Sequence, residues 1–133
     1  MVAGLTLTEA QRRQLSPDSL AYVGDAIDEL HVRQRVLWPP QRIQASHRQV
    51  VRRVQAKAQA HILTTLWPTL TETEQQIALW GRNGCGRGSR SIPPEIYRQA
   101  SAWETLLGYL SITDPQRLQQ VLALSDSVDI PDY

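Results

Sequence analysis

Two short segments of the chain each place an acidic residue near a glycine on an apolar helical pattern. Asp25 directly follows Gly24, and Glu104 lies one helical turn before Gly108. A carboxylate is costly to bury in a core-forming helix unless a partner compensates its charge. A hard divalent cation bound through oxygen atoms is such a partner. We therefore predict that two helices cross near these glycines and that Asp25 and Glu104 share one divalent cation.

Further polar residues fall on the same helical faces as the two acids. Asp18 and Glu29 share one face with Asp25, at spacings of seven and four residues. Ser101 lies three residues before Glu104 and shares its face.

The composition limits the class of protein. The chain has 133 residues, a net charge of +1 and no phenylalanine, so Leu, Val, Ile and Ala must form most of the core of one domain. The single cysteine, Cys85, excludes an intrachain disulfide and fits a reducing compartment. No apolar run reaches the length of a membrane span or forms a signal peptide. We expect a soluble cytoplasmic protein.

The basic residues lie in two long intervals that contain no acid. Between Glu29 and Glu72 there are seven basic residues and three histidines, and between Gln75 and Pro94 there are three arginines. Thirteen of the fourteen basic residues are arginine, whose planar guanidinium suits phosphate. This pattern favours a surface that binds a polyanion. Solvated helix faces in a protein from a GC-rich genome are the alternative.

The apolar spacing and the cap signals predict an all-α fold without strands or internal repeats. Ser16-Pro17, an N-cap followed by proline, predicts a helix over about 17–37. Residues 41–67 predict one long third helix, and the capping box from Thr71 to Glu74 starts the next. Further helix starts are predicted at Thr8, Pro93-Pro94 and Asp114-Pro115.

Two segments are expected to lie outside a helical core that covers about 15–125 of a single domain over 1–133. The stretch from Gly81 to Ser91 contains four glycines and three arginines, a composition that predicts a flexible basic loop over 81–92. The tail over 126–133 is polar and acidic, and we expect it to be loosely held.

Four blocks of this sequence resemble the ribonuclease III catalytic domain in the form found in mini-ribonuclease III. The segment from Leu20 to Arg33, which contains Gly24-Asp25, is similar to the first conserved block of that family. The segment from Ala100 to Leu110 is similar to its second acidic block. Residues 54–60 and 81–84 match two further stretches typical of the mini form. A Gly-Asp pair alone is weak, but four blocks in the family's order are a strong resemblance.

The resemblance implies a helical-bundle homodimer of the ribonuclease III endonuclease type that cuts double-stranded RNA with Mg²⁺, for which Mn²⁺ can substitute. It implies that Asp25 and Glu104 are the catalytic residues and the central metal ligands. Asp18 falls on an outer acidic position of the family, and Ser101 falls where full-length enzymes have an aspartate, so both are possible further metal ligands. Ala21 replaces an inner acid, as is usual in the mini form.

Two further acids, Asp28 and Glu29, are the next candidate ligands. Glu29 matches an acid common in the mini form. It has an equally good alternative role, because Arg33 lies four residues later, at the spacing of a helical ion pair.

The full-length enzymes carry a separate domain for double-stranded RNA, and we expect none after Glu104 in this chain. The catalytic domain would then bind RNA itself, through phosphates and 2′-hydroxyls rather than base edges. The expected RNA contacts are Arg48, Arg52, Arg53, Lys57, Arg82, Asn83, Arg87 and Arg90.

The implied reaction is hydrolysis by water that leaves 5′-phosphate and 3′-hydroxyl ends. The family association points to maturation of large-subunit ribosomal RNA precursors, with ribosomal proteins as further candidate partners and no membrane. A non-catalytic dimer that binds double-stranded RNA in ribosome biogenesis is the first alternative. A helical protein-interaction module is the second, and it predicts RNA association that is weak and insensitive to salt.

Overall fold

The predicted all-α fold is confirmed by a computed structural model that describes residues 5–86, 88 and 91–132. Arg87 and Arg90 lie outside this part of the chain. The described residues form seven α-helices, one 3-10 turn and no strand. They contain no helix long and apolar enough to cross a membrane. The helices are α1 (Glu9–Arg12), α2 (Pro17–Arg35), α3 (Ile43–Val54), α4 (Ala56–Leu66), α5 (Glu72–Gly84), α6 (Pro94–Thr113) and α7 (Pro115–Asp126), and the 3-10 turn is Trp67–Thr69.

Helix α6 is the centre of the bundle. It packs against α2, α4, α5 and α7, and Trp103, Leu106 and Leu107 are completely buried. A helix that is apolar around most of its circumference must be covered on all sides. Of the two acids predicted to form the site, Glu104 therefore lies on the central helix α6. Asp25 lies on α2, the helix with which α6 makes its most extensive contact.

The predicted caps are present and fix where the helices begin. Ser16 Oγ accepts a hydrogen bond from the Ser19 amide at 3.1 Å. Thr71 and Glu74 exchange the two hydrogen bonds of a capping box, at 3.1 and 2.9 Å. The buried Glu74 carboxylate also receives two hydrogen bonds from Arg117 of α7, at 2.8 and 3.0 Å. These bonds hold the pKa of Glu74 below its ordinary value and join α5 to α7.

The prediction of one helix over 41–67 is wrong, because the backbone turns sharply at Gln55. Gln55 has an extended conformation, with φ −65° and ψ 155°, and separates α3 from α4. No glycine or proline marks this break in the sequence. Its cause is tertiary, because α3 packs against α2 whereas α4 packs against α6, and one straight helix cannot follow both surfaces.

The predicted basic loop begins later than expected, because α5 continues through Gly84. A side chain at position 81 would overlap the side chain of Thr105 on α6. Glycine therefore permits close packing of α5 on α6 here instead of ending the helix. Arg82 and Asn83 lie in the last turn of α5, not in a loop.

The prediction of a loosely held tail is also wrong for the part of the tail that the structure describes. Val128 and Ile130 are buried in the main apolar cluster. Arg53 donates hydrogen bonds to the carbonyl oxygens of Ser125 and Val128, at 2.7 and 3.2 Å. Arg52 donates to the Ile130 carbonyl at 2.7 Å. Two apolar side chains among the acids are enough to anchor the segment once α3 supplies donors for its backbone.

Helices α2 and α6 approach so closely that their backbones touch at two glycines. A Cβ atom on Gly24 would overlap the carbonyl oxygen of Glu104, and one on Gly108 would overlap the carbonyl oxygen of Leu20. Each glycine therefore faces the backbone of the opposite helix. The crossing predicted from these glycines is confirmed, and it places residue 25 next to residue 104.

We expect Gly24→Ala to destabilise the fold by about 3 kcal/mol, the upper end for an overpacked core. The added methyl group meets rigid backbone, so the two helices must move apart. Chemical denaturation measures the free energy of unfolding. Gly86→Ala is the matched control, because its Cβ would meet only Asp18 Oδ2, at 3.9 Å, and should cost less than about 0.5 kcal/mol. Wild-type stability of Gly24→Ala would contradict this account of the crossing.

Candidate active site

The helix crossing brings the carboxyl groups of Asp25 and Glu104 into contact. The Asp25 side chain lies within hydrogen-bonding reach of Glu104, and its charge acts on it. Asp25 is exposed and Glu104 is partly buried, so the pair lies at the boundary between solvent and core. The proximity predicted from the sequence is therefore present.

The pair places two carboxyl groups side by side, which disfavours the ionised form of Glu104. Burial, above all, and the neighbouring Asp25 raise the pKa of Glu104 to about 9. Asp28 adds to the effect, whereas the Gln59 amide opposes it. Among the described residues, no arginine or histidine forms an ion pair with Asp25 or Glu104. Such a set of oxygen donors is suited to a hard divalent cation.

Asp28 and Gln59 form a buried polar layer next to this pair. Both residues are 3% exposed, and the Gln59 amide donates a hydrogen bond to Asp28 Oδ2 at 3.0 Å. The Trp103 indole N–H lies near the same carboxylate, but it makes no hydrogen bond of good geometry. Burial raises the pKa of Asp28, and the Gln59 amide partly offsets this effect.

Gln59 is the site residue that the sequence reasoning misses. It belongs to one of the four blocks that resemble the family, but that block suggests no role for it. The available signal was a polar residue between the apolar positions Ala58 and Ile62 on the buried face of α4.

Asp18 and Ser101 lie where α5 ends against α2 and α6. Asp18 Oδ1 accepts a hydrogen bond from the Gly86 amide at 3.0 Å. The buried Ser101 interacts with the Cys85 thiol, which also lies 3.6 Å from Thr105 Oγ1. Burial and the Asp18 charge raise the pKa of Cys85, so this thiol is not activated. No group of three or more Asp, Glu, His or Cys side chains forms a metal cluster among the described residues.

Glu29 has the alternative partner predicted for it. Arg33 donates to Glu29 Oε1 at 2.9 and 3.3 Å, which forms a partly exposed ion pair along α2. Glu29 and Asp25 line the same shallow cleft of about 500 Å³. Glu29 therefore borders the acidic pair without joining it.

Some of the predicted RNA-binding residues hold another part of the protein, and others are exposed to solvent. Arg52 and Arg53 hold the C-terminal segment, so the structure gives these side chains structural partners. Arg48 and Lys57 are exposed on α3 and α4. Asn83 is exposed at the end of α5.

A basic cavity of about 650 Å³ lies beside the end of α5. Arg82, Asn83, Gly86 and Arg98 are among its lining residues. Arg82 is held by both carboxylate oxygens of Glu95, at 3.1 and 3.2 Å. Because Gly86 is bonded to Asp18, the cavity adjoins α2 on the N-terminal side of Asp25.

We expect the metal-free protein to lose stability as the pH rises from about 4.5 to about 9. The pKa of Glu104 is 4.5 in a free side chain and about 9 in the folded protein, so the folded state binds an extra proton across this range. A pKa difference of one corresponds to about 1.4 kcal/mol. Thermal unfolding with a chelator should show this decline, and added Mg²⁺ should reduce it.

The matched variant is Glu104→Gln, which keeps a neutral side chain of the same shape at every pH. It should show a smaller decline, and the residual slope should come from Asp28, whose pKa is also raised. A slope in Glu104→Gln equal to that of the wild type would contradict the assignment.

Comparisons with known proteins agree with the resemblance found in the sequence. A family model described as the Ribonuclease III domain matches residues 18–115. The Mini-ribonuclease 3 of Thermosynechococcus vestitus is 51% identical over 111 residues, which cover 84% of this chain and 74% of that protein. The Mini-ribonuclease 3 of a Synechococcus species is 50% identical over 116 residues, which cover 87% and 84%.

A crystal structure of a Fusobacterium nucleatum protein has a similar fold, with a TM-score of 0.77 and 26% sequence identity. The match covers 86% of this chain and 93% of that one. The helical architecture, the family model over most of the chain and these relatives lead to one assignment. The chain belongs to the ribonuclease III family of endoribonucleases.

Proposed function

We propose that this protein is a magnesium-dependent endoribonuclease that cleaves double-stranded RNA. The observation that carries the proposal is the contact between Asp25 and Glu104, two carboxylates without an arginine or histidine partner among the described residues. A non-catalytic RNA-binding dimer would not need to keep these acids paired at the surface.

The residues present fit a magnesium ion. Mg²⁺ is commonly held by one or two carboxylates together with water and substrate phosphates, and Asp25 and Glu104 supply that number. When bound, such an ion stabilises charge on phosphoryl oxygens and activates water. Mn²⁺, which prefers similar oxygen ligands, is expected to substitute. Asp25 is exposed at the cleft and would face the substrate, whereas Glu104 would hold the ion from the core side. The proposed products carry 5′-phosphate and 3′-hydroxyl ends.

The duplex would be held through its phosphates and 2′-hydroxyls. Proteins recognise A-form RNA mostly through its shape, phosphates and 2′-hydroxyls, so arginines that reach phosphate oxygens are suitable contacts. The cavity lined by Arg82, Asn83 and Arg98 supports this part of the proposal, because its lining residue Gly86 is bonded to Asp18 of α2, the helix that carries Asp25. Arg48 and Lys57 remain proposed contacts, as do Arg87 and Arg90.

We propose a homodimer, because α2 carries an apolar stripe that this chain leaves exposed. Val23 and Leu30 are 43% and 48% exposed, and both line a groove of about 250 Å³ with Ile27 and Leu122. A second copy of the chain would cover this stripe, which lies on the helix that carries Asp25. Two sites related by a two-fold axis would suit the two strands of a duplex.

The biological substrate we propose is a precursor of large-subunit ribosomal RNA in the cytoplasm, with ribosomal proteins as further candidate partners. The resemblance to the mini form of the family supports this assignment.

We expect Asp25→Asn and Glu104→Gln each to reduce cleavage of a long RNA duplex at least about a hundredfold. Each variant removes one of the two charges that face the cation but keeps the shape of the side chain. Gel analysis of cleavage with and without Mg²⁺ measures the effect, and end mapping identifies the products. Glu72→Gln, an exposed acid at the start of α5, is the control and should cleave normally. Full activity of Asp25→Asn would end the proposal. If Asp25→Asn binds duplex RNA as tightly as the wild type, with an affinity that falls steeply with salt, this result would support the proposal.

We expect the wild-type protein to be a dimer in solution and Val23→Glu to be a monomer. A carboxylate in the middle of the apolar stripe would have to be buried in the interface without a partner. Light scattering coupled to size exclusion measures the mass. Val51→Glu is the matched control, because Val51 is 45% exposed on α3, and this variant should remain dimeric. A dimeric Val23→Glu would place the interface elsewhere.

A further inference from the structure

One buried glutamine connects three helices at the acidic site. Gln59 of α4 is 3% exposed, and its amide donates to Asp28 Oδ2 of α2 at 3.0 Å. The same amide acts on the Glu104 carboxyl group of α6 and lowers its pKa, so the two groups lie close together. Because a glutamine NH₂ group carries two hydrogens, the amide bonded to Asp28 keeps a second hydrogen for Glu104.

This layer is not what core packing alone would select. Gln59 and Asp28 are each 3% exposed, and the fully buried Trp103 lies near the Asp28 carboxylate. A buried polar pair is often no more stabilising than two apolar side chains of the same shape. Folding therefore gives no sufficient reason for an amide and a carboxylate at these positions.

Asp28 also has few other partners that could hold it. His31 acts electrostatically on Asp28, but His31 Nε2 is already bonded to Asp126 at 2.8 Å. The indole N–H of Trp103 makes no hydrogen bond of good geometry. The Gln59 amide is thus the donor that holds Asp28 Oδ2, at 3.0 Å.

We propose that Gln59 is a positioning residue that fixes the Glu104 carboxylate beside Asp25, and that Asp28 anchors the Gln59 amide. This inference rests on the proposed function, since it assigns Gln59 a role toward the cation that Asp25 and Glu104 would hold. A free glutamate side chain has three rotatable bonds, and a hydrogen bond from a rigid, buried amide selects one orientation. Groups that orient a metal ligand in this way are typically worth 10- to 100-fold in metal affinity or activity.

The test measures Mn²⁺ affinity by the electron paramagnetic resonance signal of the free ion, which does not depend on catalysis. Gln59→Leu should bind Mn²⁺ about 10- to 100-fold more weakly than the wild type. Asp28→Asn keeps an oxygen that can accept from Gln59 and should bind Mn²⁺ nearly as well as the wild type. Gln76→Leu, at an exposed glutamine of α5, is the matched control and should bind normally.

A double variant separates positioning from folding. Gln59→Leu leaves Asp28 buried without its donor, and this alone could unfold the protein. Asp28→Leu combined with Gln59→Leu leaves neither group unpaired, so thermal stability should return to near that of the wild type. Its Mn²⁺ affinity should stay low, because Glu104 still lacks the amide.

The outcomes distinguish this inference from the proposed function. Wild-type affinity for Mn²⁺ in the stable double variant would overturn the positioning role and leave the nuclease proposal intact. Equal loss of affinity in Asp28→Asn and Gln59→Leu would show that negative charge matters rather than orientation, and would also overturn it. A wild-type protein that neither binds Mn²⁺ nor cleaves duplex RNA would remove both proposals.

Discussion

The backbone contact between α2 and α6 is the constraint on which the rest of the structure depends. Gly24 and Gly108 each lie against a carbonyl oxygen of the opposite helix, and no other residue could allow that approach. The contact places Asp25 beside Glu104, and burial together with the Asp25 charge raises the pKa of Glu104 to about 9. A fold that holds two acids together at this electrostatic cost has a site that a divalent cation would stabilise.

Most of the local structure could be predicted from the sequence, because local interactions determine it. The caps at Ser16 and Thr71 lie where side-chain oxygens can reach the first free amides of each helix. The proximity of Asp25 and Glu104 could also be predicted, because a glycine within one helical turn of the acid on each helix indicates where the two helices cross.

What could not be predicted depends on contacts between distant segments. The break at Gln55 follows from two different packing surfaces, and the order of the tail follows from hydrogen bonds that Arg52 and Arg53 donate across more than 70 residues. The sequence predicts that Arg52 and Arg53 contact RNA. Charge alone does not show whether a side chain faces solvent or another part of the chain. Gln59 was missed for the same reason, since its partners lie on α2 and α6.

We propose that Asp25 and Glu104 together bind one divalent ion, and anomalous diffraction from crystals grown with Mn²⁺ would locate that ion. We expect one strong peak within about 2.2 Å of a carboxylate oxygen from each residue, the distance expected for a small divalent ion bound by carboxylates. A peak that lies on other residues, or no peak at this pair in crystals that bind Mn²⁺ elsewhere, would contradict it.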